Sequence, residues 1–141
     1  MTERELYKPL IVGAKQDEWH LTRISDNPGH VKRPFDLFGF TKKLRPLAIE
    51  VKLVAELSPY EKFPWNLLEL HQIKYLEFYA KRGCLGLIAI YEGKPRKMNV
   101  FTPSVEQYGN ESLSCSNIRR TVLSHVKTSD KQAYTGWNSI E

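Results

Sequence analysis

The chain has 141 residues, of which 41% are hydrophobic and 11% aromatic, and this composition predicts one folded domain and excludes wholesale disorder. It has no apolar run of the ~20 residues that span a bilayer and no hydrophobic stretch at its amino end, so we expect a cytoplasmic protein without a membrane partner. Its two cysteines, Cys84 and Cys115, are too few for a disulfide framework or a four-cysteine zinc site.

The charge of the chain is basic, with 21 Lys and Arg against 16 Asp and Glu, a formal net charge of +5. Such a balance suits a polyanionic partner without requiring one. The basic residues cluster in or beside predicted turns, where the alternative role is to keep loops soluble. The clusters are Lys32 with Arg33; Lys42, Lys43 and Arg45; Lys81 with Arg82; Lys94, Arg96 and Lys97; and Arg119 with Arg120.

The first half of the chain predicts one helix and three strands. Apolar residues at helical spacing indicate an amphipathic helix over residues 3–15, which Pro9 interrupts. Alternating residues 19–24 predict a strand, followed by a turn. Residues 35–40 and 47–53 predict two further strands that form a hairpin.

The second hairpin strand carries the pattern that matters for function. Side chains alternate across a strand, so Ile49, Val51 and Leu53 are expected to face the core. Glu50 and Lys52 then project side by side from the opposite face.

The second half predicts a helix over residues 67–82, strands over 84–91 and 98–101, and a third helix beginning at Thr102 and Pro103. The domain is expected to cover residues 1–127. Residues 128–141 have no clear periodicity and predict a flexible tail.

The residue types at Asp36, Glu50 and Lys52 suit phosphodiester hydrolysis. Magnesium prefers oxygen ligands and keeps several of its waters, so one Asp and one Glu on adjacent strands with a main-chain carbonyl form an adequate site. A lysine two residues after the Glu can orient the attacking water or stabilise negative charge. The Glu-x-Lys pattern by itself is weak, because a solvated pair on an exposed strand gives the same tripeptide.

Five segments together resemble the core of Holliday-junction resolvases, both the archaeal-type (Hjc-like) and the bacterial RecU-like groups, within the PD-(D/E)xK nuclease superfamily. The resemblance covers about residues 3–101, and the Glu-Val-Lys strand followed by the His-Gln helix is its most specific part. It implies an α/β (α+β) restriction-endonuclease-like fold with a central mixed five-stranded sheet flanked by helices. The segments are Pro34-Phe35-Asp36, Ile49-Glu50-Val51-Lys52, Phe63-Pro64-Trp65, Leu70-His71-Gln72-Ile73-Lys74-Tyr75-Leu76 and Gly83-Cys84-Leu85-Gly86-Leu87-Ile88-Ala89-Ile90.

The resemblance also implies an activity: a homodimer that nicks opposing strands of a four-way DNA junction or other branched DNA. It implies Mg²⁺ as cofactor, with Mn²⁺ able to substitute. Basic loops would contact DNA phosphates, and the residues expected to do so are Lys32, Arg33, Lys42, Lys43, Arg45, Lys94, Arg96 and Lys97.

Site roles follow from the same resemblance. Asp36, Glu50 and the Val51 carbonyl would bind the metal, with Lys52 as the catalytic lysine. Gln72 would position a water or a phosphate, its alternative being a core amide satisfied by the main chain. The family's helix carboxylate would be Glu5 or Glu3, and Glu5 is preferred because an amphipathic segment follows it.

Two other interpretations of the sequence stay open. One is a related nuclease of the superfamily, acting in repair, on flaps or in viral (phage) genome processing, with the same active-site residues. The other is a DNA-binding module without cleavage, against which an intact carboxylate pair argues, since carboxylates repel phosphate.

Overall fold

The computed structural model describes residues 1–25, 33–129 and 131–141. Its two α-helices are α1 (Arg4–Gln16) and α2 (Leu70–Ala80). Its seven strands are β1 (His20–Arg23), β2 (Leu37–Phe40), β3 (Pro46–Val54), β4 (Leu85–Glu92), β5 (Lys97–Thr102), β6 (Arg119–Thr128) and β7 (Lys131–Thr135). Neither helix is long and apolar enough to cross a membrane.

In these described ranges the seven strands form one mixed sheet whose strand order follows the chain order. All neighbouring strands are antiparallel except β3 and β4, which are parallel and joined through α2. The prediction of an α+β domain with a mixed sheet flanked by helices is confirmed. The predicted count of five strands is corrected to seven.

The predicted third helix is wrong. After Thr102 the chain makes one 3-10 turn, Val105–Gln107, and Gly109 then adopts a left-handed conformation with φ of 76°. A helix cannot continue through that conformation. The chain later enters β6, where β-branched residues such as Val122 and Val126 favour a strand.

The C-terminal residues also differ from the predicted flexible tail. Strand β7 pairs with β6, and Trp137 is 0% exposed, with its ring 5.3 Å from that of Trp19. Asp17, at the end of α1, accepts hydrogen bonds from the backbone N–H groups of Gly136 and Trp137, each at 2.9 Å. Burial of a large aromatic ring, which composition alone does not reveal, fixes this segment.

Both helices differ in detail from their predicted form. Helix α1 continues through Pro9 as one helix and buries Leu6 and Leu10 against the sheet. Helix α2 starts three residues later than predicted, because a 3-10 turn at Trp65–Leu67 precedes it and Glu69 forms a capping box with Gln72.

Both faces of the sheet are covered, so β3 has two different environments. Ile49 and Val51 are fully buried on the face under α1, as predicted, and Leu53 is partly buried beside them. Residues of the other parity, including Ala48 and Val54, face α2 and the loop before it. Glu50 and Lys52 therefore project into the α2 side of the molecule.

Candidate active site

The site begins where β2 and β3 part. Leu37 is paired with Ile49, and one residue earlier the Asp36 N–H donates to the Ile49 carbonyl at 3.0 Å. The next donor along β3, the Val51 N–H, bonds instead to the Asp36 side chain, with 2.8 Å to Oδ2. The Asp36 carboxylate thus replaces the next backbone acceptor of the β2–β3 hydrogen-bond ladder and lies beside Glu50.

Asp36 is 4% exposed and is held by side chains as well as by this backbone bond. Tyr7 on α1 donates its hydroxyl to Oδ1 at 2.8 Å. The Arg33 guanidinium lies 3.2 Å from the same oxygen. Two hydrogen bonds and an ion pair together fix the position of the Asp36 carboxylate.

Glu50 is 1% exposed, and its two oxygens differ. Oε1 accepts a hydrogen bond from Gln72 Nε2 at 2.9 Å and lies 3.5 Å from Lys52 Nζ. Oε2 is buried without a hydrogen-bond partner among the described residues. A buried, unpartnered carboxylate oxygen is costly unless a proton or a cation reaches it.

The protonation of Glu50 reflects this position. Burial raises the pKa of Glu50 to about 9, and charge repulsion from the nearby Asp36 carboxylate adds to the rise. The Lys52 ammonium acts in the opposite direction and lowers the pKa. Because the two carboxylates repel each other, a proton or a cation bound between them would stabilise the pair.

This donor set fits a hard divalent cation such as Mg²⁺. The described residues contain no group of three or more His, Cys, Asp or Glu side chains arranged around a metal position, so the site is a two-carboxylate one. Mg²⁺ accepts such sites because it retains several waters. The unpartnered Glu50 oxygen beside Asp36 is the observation that fits the ion.

Gln72 links the site to α2. Its Oε1 accepts the Glu69 N–H at 2.9 Å and completes the cap of the helix, while its Nε2 donates to Glu50. Gln72 therefore contacts Glu50, and its role in positioning a water or a phosphate stays a prediction. The alternative, an amide satisfied by the main chain, applies to Gln72 Oε1, which accepts the Glu69 N–H.

The structure places Glu5 elsewhere, and this expectation is corrected. Glu5 is exposed, accepts the Thr2 N–H at 2.9 Å and lines a cavity with Leu53 and Arg96 on the α1 side. Residues four apart share a helix face, so Glu3 is the carboxylate on the face of Tyr7. Sequence reasoning missed Tyr7. Its place among the apolar residues of α1 indicates only a core position and gives no sign of the hydrogen bond from its hydroxyl to Asp36.

The predicted DNA-binding residues divide between two ends of the sheet. Helix α2 has its amino end at Glu50, and its carboxyl end is about 16 Å away at 1.5 Å per residue. The turn between β2 and β3, with Lys42, Lys43 and Arg45, lies at that far end, because Arg45 Nε donates to the Gly83 carbonyl at 3.0 Å. Lys42 there pairs with Glu18 at 2.9 Å.

The remaining basic residues lie at the other end of the sheet or in the site itself. The turn with Lys94, Arg96 and Lys97 follows β4 at the end where β3 finishes, since Glu92 is paired with Val54. Arg33 lies in the site itself, against Asp36. Lys32 lies outside the described residues.

Comparison with known proteins finds similarity in structure but not in sequence. No protein-family model and no curated protein matches the sequence. The structure is similar to that of Hjc, a Holliday junction resolvase from the archaeal hyperthermophile Archaeoglobus fulgidus, with 22% sequence identity, coverage of 71% of this chain and 72% of that chain, and a TM-score of 0.47.

Proposed function

We propose that this chain is a metal-dependent DNA endonuclease that resolves four-way junctions, with Asp36, Glu50 and Lys52 at its centre. The observation that carries the nuclease proposal is the buried, unpartnered Oε2 of Glu50 beside the Asp36 carboxylate, with Lys52 at the other oxygen. The junction substrate follows from the sequence resemblance.

Asp36 and Glu50 would hold Mg²⁺ or Mn²⁺, with the Val51 carbonyl as a further ligand. Such an ion, when bound, lowers the pKa of a coordinated water and neutralises phosphate charge. Tyr7 and the Val51 N–H hold Asp36 in place, and Gln72 does the same for Glu50.

Lys52 acts from the same strand face. Its side chain is 14% exposed and its ammonium lies 3.5 Å from Glu50 Oε1, so it can donate hydrogen bonds to a phosphate oxygen or to the attacking water at the mouth of the site. Arg33, paired with Asp36, is a second cation that can turn to a phosphate once another positive charge neutralises that carboxylate.

A homodimer would present two such sites to two DNA strands, and twofold symmetry is the simplest arrangement. Phe38 and Phe40 on β2 support an interface there, since they are 43% and 45% exposed and line an apolar groove. Exposed aromatic side chains in one patch are typical of contact surfaces.

The test is cleavage of a labelled four-way junction, compared with linear duplex and flap DNA, with Mg²⁺ and with EDTA. Paired nicks confined to the junction are expected, and Glu50→Gln and Lys52→Ala should abolish cleavage while the DNA still binds. The matched control is Glu77→Gln, which neutralises an acidic residue on α2 away from the site.

Two outcomes would contradict the proposal. Cleavage of duplex or flap DNA with the junction spared would keep the active site and replace the substrate. Tight binding without cleavage under any metal condition would favour a binding module.

A further inference from the structure

A second groove lies on the α2 side of the sheet, between the loop after β3 and the turn after β4. We call it the β6 groove, because strand β6 supplies its far wall. Its volume is about 650 Å³, and it is open to solvent. The residues that matter in it are Leu57, Glu92, Lys94, Lys97, Cys115 and Arg120.

Arg120 is in register with the active site. Glu50 is paired with Ile88, Ile88 with Phe101 and Phe101 with Arg120, which places Arg120 on the same sheet face as Glu50. Its guanidinium lies 5.9 Å from the centre of the Phe101 ring. Three strand spacings separate Glu50 and Arg120, about 14 Å.

The positive charges of the groove are available to a ligand. Within the part of the chain that the structure describes, Lys94, Lys97 and Arg120 form no ion pair with a carboxylate. Two carboxylates also line the groove. Glu92 is 7% exposed and is already engaged, since it accepts hydrogen bonds from the Leu57 N–H at 3.0 Å and from Asn99 Nδ2 at 2.9 Å. Glu56 is exposed and accepts a hydrogen bond from the Ser58 hydroxyl at 3.4 Å. Three cations against these two carboxylates leave the groove with a net positive charge.

We infer that the β6 groove binds the sugar-phosphate backbone of the DNA that flanks the cleaved bond, with phosphates on Lys94, Lys97 and Arg120. This inference rests on the proposed nuclease function and adds a second contact region to it. A separation of about 14 Å corresponds to roughly four nucleotides at 3.4 Å per step along one strand. One DNA arm can thus reach Arg120 while its scissile phosphate lies at Glu50.

The thiol of Cys115 provides a direct test. It lines the β6 groove and is partly exposed, whereas Cys84 lies at the other end of α2, in the apolar groove of Phe38 and Phe40 that is proposed as the dimer contact. A Cys84→Ser protein in EDTA is therefore labelled with a maleimide, with and without a saturating four-way junction. We expect DNA to slow labelling of Cys115 about fivefold or more, since a thiol reacts only where it is accessible.

A charge substitution tests Arg120 itself. Arg120→Gln should weaken DNA binding and reduce the slope of log affinity against log salt by about 0.9, the value for one phosphate contact. Arg119→Gln is the matched control, because Arg119 is the preceding residue, donates to the Ser139 carbonyl and lines a different groove. It should leave the slope unchanged.

The failures of the two proposals are distinguishable. If fluorescence anisotropy shows DNA bound but Cys115 labels at its free rate, or if Arg119→Gln and Arg120→Gln act alike, the β6 groove is not a DNA site and the nuclease proposal stands. If the protein binds no DNA in any assay, the proposed function itself is overturned.

Discussion

Tyr7 is the residue through which α1 reaches the candidate active site. Its hydroxyl donates to Asp36, and burial raises the pKa of Tyr7 above its ordinary value, so it stays protonated and remains a donor. Tyr7→Phe removes this hydrogen bond and leaves the ring, at a cost to folding of about 1 kcal/mol. We expect a several-fold higher Mg²⁺ concentration for half-maximal cleavage, with a smaller change in the rate at saturating Mg²⁺.

A Mg²⁺ titration of cleavage measures this effect, with Tyr75→Phe as the control, since Tyr75 is exposed on α2. If Tyr7→Phe and the wild type respond identically to Mg²⁺, then Tyr7 serves only the packing of α1.

Glu50 links the stability of the metal-free protein to pH. Its pKa rises from 4.5 to about 9 on folding, so the folded chain binds more protons than the unfolded chain between these values. The stabilisation by this proton is complete below the unfolded pKa and is lost as pH rises toward about 9.

In EDTA, the unfolding free energy of the wild type should therefore fall relative to that of Glu50→Gln, by ~1 kcal/mol or more between about pH 5.5 and pH 8.5. Urea unfolding at several pH values measures this difference. Parallel pH profiles for the two proteins would mean that Glu50 is ionised in the metal-free fold.

The predictability of the site differs from residue to residue for a geometric reason. In a strand the side-chain period is two, so Glu50 and Lys52 had to share a face once that strand was recognised. A helix must also be rotated correctly against the sheet, and Glu5 and Tyr7, two positions apart, point in nearly opposite directions. Sequence reasoning therefore placed Glu50 and Lys52 together correctly, whereas on α1 it preferred Glu5, which lies away from Asp36.

Strand β7 and the residues after it form an element of the fold that stabilises α1. Gly13 of α1 lies so close to β7 that a Cβ atom there would clash with the Tyr134 carbonyl oxygen. Trp137, fully buried beside Trp19, completes the contact. Trp137→Ala should therefore cost about 3–5 kcal/mol of unfolding free energy, as large-to-small changes in a core do.

Urea unfolding checks this value against Val122→Ala, whose side chain is exposed on β6. A loss below about 1 kcal/mol for Trp137→Ala would make the segment peripheral, as the sequence had suggested.

At the level of elements, strong local patterns were predictable and long-range ones were not. The continuous apolar run of β4 and the alternation of β3 have local causes, and both strands formed as predicted. Strand β7 forms because it pairs with β6 and packs against α1. These contacts are long-range, so the sequence of residues 128–141 alone does not predict them.

For the whole molecule, the separation of basic residues into two ends of the sheet predicts an unequal effect on DNA binding. The double variant Lys94→Gln and Lys97→Gln removes charge from the β6 groove, and Lys42→Gln with Lys43→Gln removes the same charge at the far end. The first should weaken binding more and reduce the salt slope by up to about 1.8, because two phosphate contacts are lost.

Binding measured over a range of salt concentrations compares the two variants at equal net charge. Equal losses would indicate attraction by overall charge alone. A larger loss for the Lys42 and Lys43 variant would place the DNA at the far end of the sheet.

The hydrogen bond from the Val51 N–H to Asp36 gives the site a reporter of its own. This amide is bound to a side chain that Tyr7 holds from α1, and it lies one residue from Glu50, which Gln72 holds from α2. Its exchange with deuterium therefore requires Asp36 to release it, and motion of either helix layer would speed that exchange. A protection factor at Val51 close to that of the central strands would mean that both carboxylates are positioned before any metal or DNA arrives.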